Sequence, residues 1–262
     1  MSIVFSAIVP HPPILIPTIG KENISQLQTT SLSFLKLEQD LYASQAETII
    51  IISPHGYLQE EAFTINLSPE FKANFDDFGD LTTKLNLSGD IGLTHQIKEK
   101  LETKAPLQLI SISDIDYGAS IPLYLLTSHL PKIKIIPLYY SGLDLAAHYN
   151  FGQIIKSKLI NSSTRVAVIA SGDLSHRLSK NAPAGYNPKG KKFDKKLIDS
   201  LLKKETEEII KFKPELIADA GECGLKSIVI LLGILEGMKY EPKLLSYESP
   251  FGVGYLVMNF KL

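Results

Sequence analysis

Short runs dense in isoleucine and valine alternate along this chain with stretches whose apolar residues recur at helical spacing. That alternation constrains the fold more than any other feature, because it is how βα units of a sheet covered on both faces are written in sequence. Ile3 to Val9, Thr48 to Ser53, Leu107 to Ser111, Lys134 to Tyr139 and Arg165 to Ser171 read as strands. Helical patterns follow over Ile24 to Ala46, Thr94 to Glu102, Ile121 to His129, Leu143 to Leu159, Lys189 to Lys204, Glu205 to Phe212 and Cys223 to Glu236. Two closing strands are expected at Lys243 to Tyr247 and Gly254 to Phe260, separated by a Ser-Pro-Phe-Gly turn. Residues 57–88 promise one strand, Phe63 to Leu67, within an excursion beside the sheet, and Arg177 to Lys192 reads as a long surface loop. No repeat or low-complexity linker divides the chain. The expectation is one α/β domain over residues 1–262, a three-layer α/β/α sandwich with a central, mostly parallel, mixed sheet.

Charge removes several function classes. Lys and Arg number 27 against 28 acidic residues, so no electrostatic bias favours nucleic acid or an anionic membrane. The single cysteine, Cys223, excludes an intramolecular disulfide framework and multi-cysteine metal clusters, and fits a reducing cytoplasm. The apolar N-terminus lacks a basic leader and is broken by prolines at 10, 12 and 13, and no later apolar stretch is long enough to cross a bilayer. A soluble, cytoplasmic protein is the expectation, with small-molecule chemistry or protein contacts left open.

In doubly wound α/β proteins chemistry gathers beyond the carboxyl ends of strands. Three of the six histidines fall there: His11 in Pro-His-Pro-Pro, His55 in Ser-Pro-His-Gly and His176 in Ser-Gly-Asp-Leu-Ser-His. Adjacent prolines restrict the backbone around His11 and His55, which lowers the entropic cost of presenting an imidazole in one direction. His95, His129 and His148 lie within or at the ends of helices and read as structural. A carboxylate at another loop-to-helix junction, Glu222 in Asp-Ala-Gly-Glu-Cys-Gly, completes a His₂Glu set with Ala220, Gly221 and Gly224 giving room for close approach. Its bland alternative is an acid at a helix N-terminus, and that of Cys223 is a small packing residue. Two imidazoles and a carboxylate on one face of an octahedral ion suit non-haem Fe(II); zinc remains the competitor. No His-Glu-x-x-His helix, Gly-x-Ser-x-Gly elbow or Gly-rich phosphate loop occurs, and Ser171 is a weak nucleophile candidate. Tyr57, Phe63, Tyr186 and Phe251 are candidates for a pocket wall.

With those segments in order, from Val-Pro-His-Pro-Pro to the closing Phe-Gly-Val-Gly-Tyr, the chain resembles the class III extradiol dioxygenase (LigB-like) superfamily, which includes Memo-like relatives. The resemblance implies His11, His55 and Glu222 as Fe(II) ligands, His176 as an acid/base beside them, and meta cleavage of a catechol-like aromatic by O₂. It leaves open a homo-oligomer or a partner subunit. One position departs: where the dioxygenase pattern commonly has Asp-His-Gly, this chain reads Asp116-Tyr117-Gly118. Tyrosine, with an ordinary pKa of about 10, is no near-neutral proton shuttle, so Tyr117 is either a polar contributor to the site or a wall of it. A Memo-like role through a partner and a zinc-dependent hydrolase are the competing functions.

Overall fold

The computed structural model describes residues 2–262. Strand β1 (Ile3–Val9) leads through 3-10 turns and the short α1 (Pro17–Gly20) into α2 (Gln28–Ala43) and β2 (Thr48–Ser53). Then come β3 (Phe63–Asn66), β4 (Glu70–Phe75), β5 (Asp80–Gly89), α3 (Ile91–Leu101), β6 (Leu107–Ile110), α4 (Tyr117–Leu126), β7 (Lys134–Tyr139), α5 (Leu145–Leu159) and β8 (Val166–Ser171). The chain closes with α6 (Pro188–Leu202), α7 (Thr206–Ile210), α8 (Pro214–Ala220), α9 (Leu225–Leu235), β9 (Glu241–Glu248) and β10 (Tyr255–Lys261).

All of these strands join one sheet, ordered β4-β5-β7-β2-β8-β1-β10-β9, with β3 pairing β6 and β7 off that path. Its centre, β7-β2-β8-β1, is parallel throughout, while β10 and β9 add antiparallel strands at one side. The free side of β7 is shared: its first residues pair with β5 and its last with β3.

Strand periodicity sorts the side chains into two cores. Ile50 and Ile52 of β2 pack with Ile136, Leu138, Val166 and Val168 under α3, α5, α6 and α9. Ile49 and Ile51 point the other way, with Ile135, Ala167 and Ile169, under α2 and α4. Both faces are covered, which is why β2 is isoleucine at four successive positions with no polar alternation. The three-layer α/β/α single domain with a mostly parallel mixed sheet is therefore as the alternation requires. Where α5 crosses α9, Gly152 meets Gly233: a Cβ on Gly233 would lie 2.2 Å from the Tyr149 carbonyl oxygen, so the contact is backbone against backbone.

Several elements differ from the sequence reading. Residues 57–88 hold three strands instead of one. In β4, Phe71, Ala73 and Phe75 are buried and Glu70, Lys72 and Asn74 exposed, a half-buried edge pattern that polar composition masks. The helix expected from Ile24 begins at Gln28 after a 3-10 stretch, α4 begins at Tyr117, and α8 was not anticipated. Asp116 explains the second shift, since its side chain accepts from the Ala119 N–H and caps α4 early. Among the described residues no helix is long and apolar enough to cross a membrane.

Candidate metal centre

His11 leaves the carboxyl end of β1, His55 that of β2, and Ser171, Asp173 and His176 that of β8. Because β2, β8 and β1 are adjacent and parallel, three loops far apart in sequence open on one place. The turn between α8 and α9 reaches the same place through a close backbone approach. A Cβ on Gly172 would lie 2.1 Å from Cα of Gly224, and the Gly224 N–H donates to the Asp173 carbonyl at 3.0 Å.

The Nε2 atoms of His11 and His55 face each other at 3.0 Å, with ring planes nearly perpendicular. The Ser171 hydroxyl donates to the Gly118 carbonyl, so its oxygen accepts from Nδ1 of His11, 2.9 Å away. A hydroxyl has one proton to give. His11 is therefore protonated on Nδ1 and presents a bare Nε2 toward His55. Burial, aided by the nearby His176, lowers the pKa of His11 to about 3, and burial followed by His11 and His176 does the same for His55. Neutral imidazoles are the form a metal needs. Two facing nitrogen donors at the mouth of a parallel sheet fit a divalent cation.

The third side chain that comes within reach is Cys223. Ligand atoms of His11, His55 and Cys223 lie within 4.8 Å of one another, with Sγ 3.7 Å from Nε2 of His11. The Cys223 thiol thus faces the imidazole pair, and burial raises its pKa well above the ordinary value. The Glu222 carboxyl turns to the start of α9, where Oε2 accepts from the Leu225 N–H at 2.5 Å. Burial pushes its pKa up to about 7, opposed by that hydrogen bond and by Lys226. Glu222 lies next to the trio in sequence and outside it in contact.

Asp173 lies between His11 and His176. Its Oδ1 accepts from the His11 N–H at 3.0 Å, and its Oδ2 lies 3.8 Å from Nε2 of His11 and 4.0 Å from Nε2 of His176. Burial raises its pKa to about 6. His176 donates Nδ1–H to the Gly221 carbonyl at 2.5 Å, which leaves Nε2 as the basic nitrogen. Tyr117 stacks on His55, with centroids 4.5 Å apart and planes 18° from parallel, and meets His11 edge-on at 5.5 Å. It roofs both imidazoles, and burial raises its pKa to about 12.

The other three histidines stay out of the centre. His148 is buried, with Nε2 accepting from the Ser141 N–H, His129 pairs with Glu38 at 2.6 Å, and His95 is exposed on α3. Phe63 is no pocket wall, since it is buried and stacked on Phe151 at 3.8 Å, whereas Tyr57 lines a hollow with His55, Asp116 and Tyr139. Sequence reasoning missed Tyr140 and Lys226. Tyr140 follows β7 at the same sheet end, where burial raises its pKa, with Glu222, Cys223 and Tyr117 adding to the effect. Lys226 holds its ammonium 5.4 Å from the Tyr140 ring centroid. Tyr140 is the residue that follows β7, so the strand-end rule that marks the histidines marks it as well.

A family described as the catalytic LigB subunit of aromatic ring-opening dioxygenase matches residues 6–258. A Clostridium acetobutylicum protein, Protein CA_C1420, is 33% identical over 264 residues, covering 97% of this chain and 56% of that relative. The chain thus spans little more than half that relative's length. An Escherichia coli protein named 3,4-dihydroxyphenylacetate 2,3-dioxygenase is 28% identical over 223 residues, 78% of this chain and 79% of that one. Among solved structures, the uncharacterized protein JW3007 from Escherichia coli K12 superposes with a TM-score of 0.70 over 98% of this chain and 99% of that one; at 14% identity this is a likeness of fold. With the match running through every strand that feeds the imidazole pair, the chain belongs to the LigB family.

Proposed function

We propose that this chain holds a divalent metal, Fe(II) in the first instance, through His11, His55 and Glu222, and opens the ring of a catechol-like aromatic with O₂. The observation that carries the reading is the pair of neutral imidazoles whose Nε2 atoms face each other 3.0 Å apart, His11 with its proton held on Nδ1, with Nε2 of His176 beside them. Glu222 enters as the anionic ligand by giving up its Leu225 contact. A buried carboxyl with few compensating partners gains most from a neighbouring cation. Fe(II) in that position supplies charge neutralisation for a deprotonated diol and the redox chemistry that O₂ requires.

The protein's own part is positioning and proton handling. His176, fixed by the Gly221 carbonyl, accepts a diol proton on Nε2 and later returns it. Asp173 orients both His11 and His176. Tyr117 closes one side over His55 and excludes water from the imidazole pair. Anaerobic reconstitution with Fe(II), then a catechol panel with O₂ uptake recorded, tests the reading; iron that stays bound while no catechol drives uptake counts against it.

A second reading is favoured by Cys223, whose thiol sits in the trio in place of a carboxylate. Two imidazoles and a thiol suit zinc, and Tyr117 stands where ring-cleaving relatives commonly have histidine. The chain would then be a zinc hydrolase or a Memo-like metal protein acting through a partner. Metal analysis of protein purified without added metal separates the two readings, with stoichiometric zinc favouring the second.

A further inference from the structure

Helix α2 is apolar on two opposite sides. Its inner side buries Phe34, Leu37 and Leu41 in the core beneath it. A surface helix turns charged and polar residues the other way, yet of the exposed residues of α2 only Lys36 is charged. Leu32 and Leu35 are each 58% exposed and Tyr42 54%. Among the described residues no other helix or strand exposes three large apolar side chains. Single exposed leucines are ordinary on a protein surface; an apolar stripe along one helix marks a surface that something covers.

The spacing says what kind of surface covers it. Gln28, Leu32, Leu35, Gln39 and Tyr42, all exposed, recur at alternating steps of four and three, which is the seam one α-helix offers to another. None of the five carries a charge. Beside them Lys36 donates to Asp40 at 2.7 Å. In an antiparallel pair of α2 helices centred at Leu37, Leu32 falls opposite Tyr42 of the other copy and Leu35 opposite Gln39, so the one aromatic ring of the seam packs on a leucine. Each Lys36 then lies within about one helical turn of two aspartates, its own Asp40 and that of the other copy. A parallel pair would instead set Lys36 against Lys36 and Asp40 against Asp40. The seam is therefore complementary to itself, in size and in charge, in one orientation. The hollow of about 600 Å³ that Tyr42 shares with Leu130 and Pro131 continues this surface past the end of the helix.

We propose that α2 is the interface of a twofold dimer, with Leu32, Leu35 and Tyr42 packed antiparallel against the same residues of a second copy of this chain. Closed twofold pairing is the commonest way a self-complementary patch is buried. The 16 residues of α2 make a seam about 24 Å long. That is the small end of specific interfaces, so the dimer is weak and its population follows protein concentration. His11, His55 and Cys223 take no part in it, and the inference stands whether or not the metal reading does.

Sedimentation velocity on the full chain, from about 1 to 100 μM, tests it. The unaltered protein should pass from monomer toward dimer across that range. Leu35→Glu and Leu35→Lys, each at a position exposed in the monomer, should raise the dissociation constant by more than about ten-fold with thermal melting unchanged. A one-to-one mixture of these two variants should recover the dimer, because opposite charges then meet near the twofold axis. Leu81→Glu, at an even more exposed leucine on β5, should leave association as it was. A monomer at every concentration, a dimer indifferent to Leu35→Glu, equal dissociation by Leu81→Glu, or a mixture that stays monomeric overturns the proposal; the first of these would hand the seam to a different protein.

Discussion

Ser171 and His11 are locked in one proton arrangement: the serine hydroxyl spends its hydrogen on the Gly118 carbonyl, and Nδ1 of His11 supplies the other. Ser171→Ala removes the acceptor and frees the tautomer. Loss of such an outer partner commonly costs 10- to 100-fold in metal affinity, so chelator competition should record a drop of about that size with the fold intact by circular dichroism. Unchanged affinity would show that Ser171 does not set the tautomer.

Glu222 and Cys223 compete for one role. On the proposed reading, Glu222→Gln weakens Fe(II) binding by more than about ten-fold while Cys223→Ser changes it little, both measured by equilibrium dialysis. The reverse order would assign the third position to the thiol.

Asp194 gives a pH signature remote from the imidazole pair. It is buried against the Ser175 N–H and the Tyr247 hydroxyl, and burial raises its pKa from 3.8 to about 6. The folded protein therefore holds this proton more tightly than the unfolded chain does. Its stabilising contribution is complete below about pH 4 and is lost as pH rises through about 6, on the order of 3 kcal/mol in all. Denaturant titrations between pH 4 and 7 should show a shallower decline for Asp194→Asn than for the unaltered protein; parallel profiles would refute the assignment.

Gly233 leaves no room for a methyl group where α9 meets α5. Gly233→Ala gains about 1 kcal/mol of helix propensity and loses about 1–3 kcal/mol to overpacking. Backbone atoms yield less readily than side chains, so the loss prevails and Tm falls. The folded fraction should still bind metal at wild-type stoichiometry, because no ligand moves.

How much of this was legible in sequence depended on where the physics is local. The isoleucines of β2 and the valines of β8 declare buried strands by themselves, and strand-end histidines 11, 55 and 176 were found by position alone. Strand β5 was hidden because Thr82, Lys84 and Asn86 face solvent and, of its apolar side chains, Leu85 and Leu87 pack on the core while Leu81 is exposed. The relation of Glu222 to Cys223 was not legible either. Which of two neighbours faces His11 depends on the backbone contact of Gly172 with Gly224, formed by residues about 50 positions apart.

His55 and Cys223 lie more than 160 positions apart in sequence, and β1 is clamped between β8 and β10. A ribosome must therefore extend the chain past Gly224 before these groups can meet. On the proposed metal-binding reading, uptake followed during synthesis would stay silent for every truncated product that stops short of the Gly224 turn.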